Sequence, residues 1–300
     1  MDATFHEGEL SLQERTGVRA RMAQAGPRVI RDHMPDQHRE FFAQLPFIVM
    51  GSVDAQGQPW ASVLAGEPGF VSSPDERELH VRARPLAHDP LDGALAPGAA
   101  VAVLGIEPHT RRRNRANGHV AARDAAGFTI GIDQSFGNCP KYIQPREAQF
   151  AARAASAEQV QRSEVLDEAA QALIRRADTM FIASAHPVAG ASDFARAHGV
   201  DVSHRGGPAG FVRVDDARTL TLPDWVGNFY FNTLGNLALN PRCGLLFIDF
   251  DGGDLIQVAA QAHVIHAGPE LASFEGAQRL VRLHVASVAR LPQALPLSWR

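Results

Sequence analysis

Two short stretches in the last third of the chain carry most of the residues suited to chemistry. The first runs from Ser203 to Phe211 and sets Ser203, His204 and Arg205 beside adjacent glycines. Arginine offers a permanently charged fork of N–H donors that matches phosphate oxygens, and glycines let backbone N–H groups approach an anion. The second runs from Gly227 to Arg242 and puts Asn232 and Thr233 at the start of a helix whose body is Leu234–Asn240. Asparagine is a good N-cap, and the free N–H groups of a first helical turn favour an anion. Flanking one strand, these loops make a phosphate pocket, or else a turn and a capped helix beside a surface arginine. Residue types alone do not separate the two.

A third stretch, Ser135–Arg146, crowds Phe136, Asn138, Lys141, Tyr142, Gln144 and Arg146 between a glycine and two prolines. A rigid loop with polar and aromatic groups suits the edge and face of a planar ring or an anionic substrate. Cys139 within it is read as a small packing residue rather than a redox thiol. Arg111–Arg113 and Arg115 form the one dense basic run, with no aromatics interleaved as in a nucleic-acid surface. Alternation along a strand, ending at a turn over Asn117-Gly118, accounts for it, one face solvated and the other paired with acids. His6, His33, His38, His80, His88 and His186 show no metal-ligand spacing and read as ordinary surface or strand residues, so no metal is expected. Signatures of serine hydrolases, P-loop enzymes and Rossmann dehydrogenases are missing from the sequence.

The elements that must position these residues belong to an ordinary globular chain. It has 300 residues, 45% hydrophobic and 21% charged, with a formal net charge of −4, which excludes a disordered chain, a fibre or a coiled coil. So balanced a charge gives no reason to expect nucleic acid or an anionic membrane as partner. Two cysteines are too few for a disulfide framework or a cysteine metal site. No apolar run approaches the ~20 residues of a membrane helix, and the first 17 residues lack a secretion signal. A cytoplasmic setting is the expectation.

Three hundred residues is about twice one compact domain, and the chain reads as doubled. Strands over Ile48–Val53 and Trp60–Leu64, followed by Gly69-Phe70-Val71, reappear as Met180–Ala185, Val202–Arg205 and Gly210-Phe211-Val212. The second Gly-Phe-Val lies 141 residues after the first. The strand from Val101 matches the one from Gly244, and a helix-like segment with apolar residues on one face precedes each copy. Short β-rich runs between turn clusters point to a barrel or sandwich. Ala148–Arg176 reads as a helical connector and Ser273–Arg290 as a further helix, with Leu280, Leu283, Val285 and Val288 as its apolar positions.

With order and motifs together, Asp201–Phe250 resembles the flavin-binding core of the pyridoxamine 5′-phosphate oxidase-like, FMN-binding split-barrel family. Ser135–Arg146 is similar to the F-G-N-C-P-x-Y-I-Q signature of one branch, sometimes fused to a ferredoxin-reductase-like module. The resemblance implies a mainly β fold with some α: a duplicated split β-barrel with flanking helices. Its expected parts are an N-terminal extension over 1–38, a degenerate first barrel over 39–147 and a helical connector over 148–176. An FMN-binding second barrel over 177–268 and a C-terminal helix and tail over 269–300 complete it.

The resemblance places FMN phosphate against Ser203, His204, Arg205, Asn232 and Thr233, and puts Asp224 and Asn228 near the sugar chain or ring edge. Asn138, Lys141, Tyr142 and Gln144 then face the ring. Where the family's oxidases have Arg and Lys at the helix start, this chain has Asn and Thr, so phosphate charge falls on Arg205 and backbone dipoles, and vitamin B6 oxidation is not implied. An arginine of the basic run is a candidate contact from the opposite barrel. In the first copy Ser62 answers to Ser203 but Leu64 to Arg205, and Asp89-Pro90 to Asn232-Thr233, so one flavin site is kept and one lost. The implied function is FMN-dependent oxidoreduction, with a small-molecule substrate or an electron-donating reductase as partner and a homodimer as a possible assembly. The alternative is a flavin or haem carrier without turnover.

Overall fold

The computed structural model describes residues 4–151, 160–189, 191 and 195–300. Three helices open the chain: α1 (Glu7–Arg15), α2 (Arg19–Val29) and α3 (Asp36–Ala43). Seven strands follow: β1 (Phe47–Val53), β2 (Pro59–Ala65), β3 (Val71–Ser72), β4 (Glu78–Val81), β5 (Ala100–Glu107), β6 (Arg112–Arg123) and β7 (Phe128–Gly137). Short strands β8 (Ala148–Phe150) and β9 (Gln161–Ser163) and helix α4 (Glu168–Arg176) lead to the second half. That half holds β10 (Thr179–Ala185), β11 (Val200–Gly206), β12 (Arg213–Asp216), β13 (Thr219–Asp224), α5 (Asn232–Leu239), β14 (Arg242–Ile248), β15 (Leu255–Ile265), β16 (Arg279–Leu291) and β17 (Leu297–Trp299). The fold is mainly β with flanking helices.

The first sheet has the order β2-β1-β5-β6-β7-β4-β3, and the second β11-β10-β14-β15-β16-β13-β12. Counted from the first strand of each half, the two orders are identical, and every pairing is antiparallel. Register carries the equivalence to single residues. Met50 pairs with Ser62 and Ile48 with Leu64 in the first half; Ile182 pairs with Ser203 and Met180 with Arg205 in the second. Leu64 therefore stands where Arg205 stands.

Three cores explain why the central strands are apolar on consecutive residues. Side chains alternate across a strand, so residues one apart enter different layers. Ile48 and Met50 of β1 face the interior of the first barrel, and Met180 and Ile182 of β10 face that of the second. Phe47 and Val49 instead meet Phe181, Ala183, Val202 and Leu246 in a core shared by the two barrels. Burial on both faces leaves no polar face to alternate with. The N-terminal helices close one side: Gly8 of α1 packs so tightly on α5 that a Cβ there would sit 2.2 Å from the Gly235 carbonyl oxygen. Among the described residues, no helix is long and apolar enough to cross a membrane.

The C-terminal region differs from the helical expectation. Arg279–Leu291 is strand β16, paired with both β15 and β13, so the second sheet extends to Leu291. Val281, Leu283 and Val285 alternate into the barrel core with Arg282 and His284 between them, and period two outweighs the spacing of three that Leu280 and Leu283 suggest. The stretch from Ala148 is likewise not one helix: it begins in strand β8, holds strand β9 and ends in Glu168–Arg176, its one helical part among the described residues. The part of that connector over 152–159 lies outside the described residues. Asn117-Gly118 is no turn; it is a bulge inside β6, where the register against β7 shifts.

Candidate functional site

The two halves meet around an open, solvent-continuous cleft with a cavity volume of about 100 Å³. Ser203, His204, Arg205, Asp224, Asn228, Asn232, Thr233, Asn138, Lys141 and Tyr142 all line it. Gln144 stands outside that lining, where its amide donates to the Gly207 carbonyl at 2.9 Å and fixes the loop before it. Residues 138–142 follow the first barrel's last strand and the other seven residues come from the second barrel, so the cleft is a junction of the two.

Strand alternation sorts the second barrel's contribution. Asp201, Ser203 and Arg205 share one face of β11, toward α5. Ser203 Oγ donates to Asp201 Oδ2 at 3.0 Å, and Thr233 Oγ1 lies 2.9 Å from Asp201 Oδ2 and 2.8 Å from Ser203 Oγ. His204 is on the other face, against Phe181 in the shared core. Helix α5 enters differently from the sequence expectation. Its N-cap is Phe231, in a left-handed conformation with φ of 66° and no side-chain cap, and Asn232 is the first helical residue. Freed from capping, the Asn232 side chain accepts from Arg115 Nη1 at 2.8 Å and donates to Glu9 Oε1 of α1 at 2.6 Å. Burial pushes the Glu9 carboxyl up to about 8.

Sequence reasoning treated the basic run as a surface feature with one candidate contact; the structure puts two of its arginines in the cleft wall. Arg113 and Arg115 alternate with Arg112 and Asn114 along β6 and reach across to the second barrel. Arg115 Nη1 lies 2.6 Å from Asp201 Oδ1, and its other terminal nitrogen donates to Ser203 Oγ. Arg113 donates to the Cys139 carbonyl at 2.9 Å and to His204 Nδ1 at 3.1 Å, and has no carboxylate partner among the described residues. Burial, with Arg115 and Arg205 nearby, pushes its guanidinium down to about 9. Burial and Arg113 together hold the His204 imidazole neutral. Arg279, missed because its segment reads as a helix, is buried with its Nε 2.9 Å from Asp224 Oδ2. Arg205 takes the other oxygen of Asp224 at 3.3 Å.

The electrostatic outcome is lopsided. Arg113, Arg115, Lys141, Arg205 and Arg279 line the cleft with one carboxylate, Asp224, among them, and Asp201 lies just behind. Lys141 is the chain's single lysine. Among the described residues, four buried donors on the lining have no hydrogen-bond partner: Arg115 Nε, Arg205 Nε, Asn138 Nδ2 and Arg279 Nε, the last ion-paired with Asp224. Unsatisfied donors under a cationic wall are the complement of an anion with several oxygens. An aromatic wall completes the cleft. Tyr142 stacks on Trp225 with centroids 5.4 Å apart, and Phe229 and Phe231 stand beside them. Tyr142, Phe229 and Phe231 all have φ of 65–66°, a conformation that bulky residues adopt only where their surroundings hold them.

The equivalent place in the first barrel is closed. Ser62 Oγ donates to Asp89 Oδ1 at 2.6 Å, and Gln257 Nε2 donates to Asp89 Oδ2 at 3.1 Å. Ser62, Leu64, Asp89, Leu91 and Gln257 are all buried. Burial pushes the Asp89 carboxyl up to about 6. Of the histidines expected on surfaces or strands, His6, His38 and His186 are also buried.

Residues 166–296 match the family model described as pyridoxamine 5′-phosphate oxidase. Over that part the chain is similar to the pyridoxamine 5′-phosphate oxidase family. The matched segment holds β10 to β16, and with them every second-barrel residue of the cleft. No curated protein matches the chain. Among solved structures, it is similar to HupZ of Group A Streptococcus at 14% identity, covering 42% of this chain and 93% of that one, with a TM-score of 0.31. A Clostridium acetobutylicum protein related to general stress protein 26, of the pyridoxinephosphate oxidase family, matches at 6% identity over 44% and 91%, with a TM-score of 0.29. HutZ, the heme storage protein of Vibrio cholerae, matches at 11% identity over 40% and 89%, also with 0.29.

Proposed function

We propose that the cleft binds FMN noncovalently and that the protein is an FMN-dependent oxidoreductase. The observation that carries this reading is a cationic wall with orphaned buried donors next to an aromatic one, in a part of the chain that matches a family of flavin chemistry. The phosphate lies toward Arg113, Arg115, Ser203, Arg205, Asn232 and Thr233, where guanidinium groups, hydroxyls and the first turn of α5 converge. Cationic charge supplied from β6 replaces the basic residues that the helix start lacks. Asp224 and Asn228 lie along the ribityl chain, and Asn138, Lys141 and Tyr142 lie at the ring. FMN, when bound, supplies hydride and electron transfer; this chain's residues bind it, orient it and set its electrostatics. Lys141 and Asn138, as donors at the ring edge, stabilise negative charge there. Either a small donor would give its electrons to the bound flavin, or an acceptor would be reduced with electrons supplied by NAD(P)H or a partner reductase.

The test is a titration of the purified chain with FMN, followed by the flavin absorption bands and by quenching of Trp225 fluorescence. One FMN per chain is expected, with affinity at least tenfold weaker in Arg205→Ala. Unchanged affinity in that variant, or no retention of FMN by the wild type, overturns the phosphate assignment. Steady-state oxidation of NADH or NADPH by the flavin-loaded chain separates an oxidoreductase from a carrier.

A further inference from the structure

Three histidines that sequence spacing keeps far apart come together at the start of α1. His6 is its N-cap, His186 follows β10, and His198 precedes β11. His186 and His198 stack in parallel with centroids 4.1 Å apart, and His6 meets His186 edge-on at 5.1 Å. The Glu7 carboxylate lies among them: His186 Nε2 is 3.2 Å from Oε1, and His198 Nε2 is 3.7 Å from Oε2. Donor atoms of His6, Glu7 and His186 all lie within 4.8 Å of one another.

We propose that His6, Glu7, His186 and His198 form a binding site for a divalent transition-metal ion of the zinc type, which staples the N-terminal helix to the second barrel. Imidazole nitrogens with one carboxylate are a donor set preferred by zinc and its neighbours over calcium or magnesium. Tetrahedral ligands ~2.1 Å from zinc stand ~3.4 Å apart, so His6, Glu7 and His186 close on an ion by side-chain rotation. His198, its ring 6.5 Å from that of His6 and stacked on His186, has to turn further to join as the fourth ligand. His6 Nε2 is buried and has no hydrogen-bond partner among the described residues. Glu7 supplies the single negative charge and, being exposed, leaves the site an entrance.

Ligation has a defined exchange of bonds. In His6 and His186 the Nδ1 atoms accept long backbone N–H bonds, from Gly8 at 3.2 Å and Val188 at 3.4 Å. Coordination through Nε2 moves each ring proton to Nδ1, gives up those two bonds and forms two metal–nitrogen bonds. The second bond of the helix cap, from the His6 backbone N–H to Glu9 Oε2 at 2.9 Å, needs no change. Glu9 also holds Asn232, so an ion here fixes the helix that braces the cleft.

The experiment uses the full chain without an affinity tag and titrates Zn(II) in competition with a chromogenic chelator. One ion per chain is expected, with affinity at least tenfold weaker in both Glu7→Gln and His186→Gln. Co(II) should give the visible bands of a tetrahedral site in the wild type and lose them in both variants. Because Glu7 is exposed, Glu7→Gln keeps the fold, and far-ultraviolet circular dichroism verifies this for each protein. Absence of stoichiometric binding, or equal affinity in wild type and folded variants, overturns the proposal. FMN affinity measured separately leaves the flavin reading to stand or fall by itself.

Discussion

Arg115 and Gln257 are the same position in two halves of one chain. Arg115 faces Leu104 across β5 and β6, Gln257 faces Leu246 across β14 and β15, and Leu104 and Leu246 are themselves equivalent. Each side chain crosses to the other barrel and meets the equivalent serine: Arg115 reaches Ser203, and Gln257 reaches Ser62. One crossing carries a charge into an open cleft. The other carries an amide into a closed hydrogen-bond network.

Arg113 is a part-buried cation without a carboxylate partner among the described residues, so its charge opposes folding and favours an anion. Arg113→Met is expected to weaken FMN binding by tenfold or more while changing the stability of the flavin-free chain by no more than about 1 kcal/mol. Flavin titration and urea unfolding of the same preparation check the two directions.

Placing an arginine at the equivalent position of the first barrel should not create a second site. Leu64 is buried in the first barrel's core, and no cleft opens beside it. Leu64→Arg is expected to lose on the order of 3–5 kcal/mol through an unpaired buried charge. FMN stoichiometry in any folded fraction should stay at one per chain, and two would contradict the closed state of the first barrel.

Asp89 gives the first barrel a pH dependence with a definite sign. Its carboxyl rises from its ordinary 3.8 to about 6 in the folded chain, so the folded state holds the proton more tightly than the unfolded one. Its contribution is fully present below pH 4 and is lost as pH rises through 6. Asp89→Asn removes this loss and should gain on the order of 2–3 kcal/mol on the wild type between pH 4 and pH 7. Gln257 Oε1, buried without a partner, can take the new amide N–H once the Gln257 amide turns over. Urea unfolding of both proteins at pH 4.5 and pH 7 measures the difference.

Lys141, as the only lysine, makes the proposed ring end of the cleft chemically addressable. Acylation by a mild amine reagent, followed by mass spectrometry, should modify it in the flavin-free chain. Saturating FMN should slow that modification several-fold, and an unchanged rate would place the ligand elsewhere.

The doubling was legible because strand patterns and Gly-Phe-Val triplets repeat in order, and each is a local property of the chain. The Leu64–Arg205 equivalence was legible for the same reason, since register in a short hairpin follows from the hydrophobic pattern and the turn. Ser203, Arg205, Asn232 and Thr233 sit in motifs whose backbone chemistry is local too. The C-terminal strand was hidden because Leu280, Leu283 and Val288 fit a helical face, and only pairing with β15 and β13 selects period two.

What the chain alone decided, then, was the frame: two barrels and the loops that line one cleft. The charge of that cleft was decided in three dimensions. Arg113 and Arg115 lie about 90 residues before His204 and Ser203. They enter the site only because the apolar faces of β1 and β10 bury against each other in a shared core and bring β6 alongside β11. The histidine cluster has the same origin: His6 and His186 are 180 residues apart, and the packing of α1 on α5 joins them. Sequence spacing measures reach along a chain, whereas a binding site is made by reach across a core.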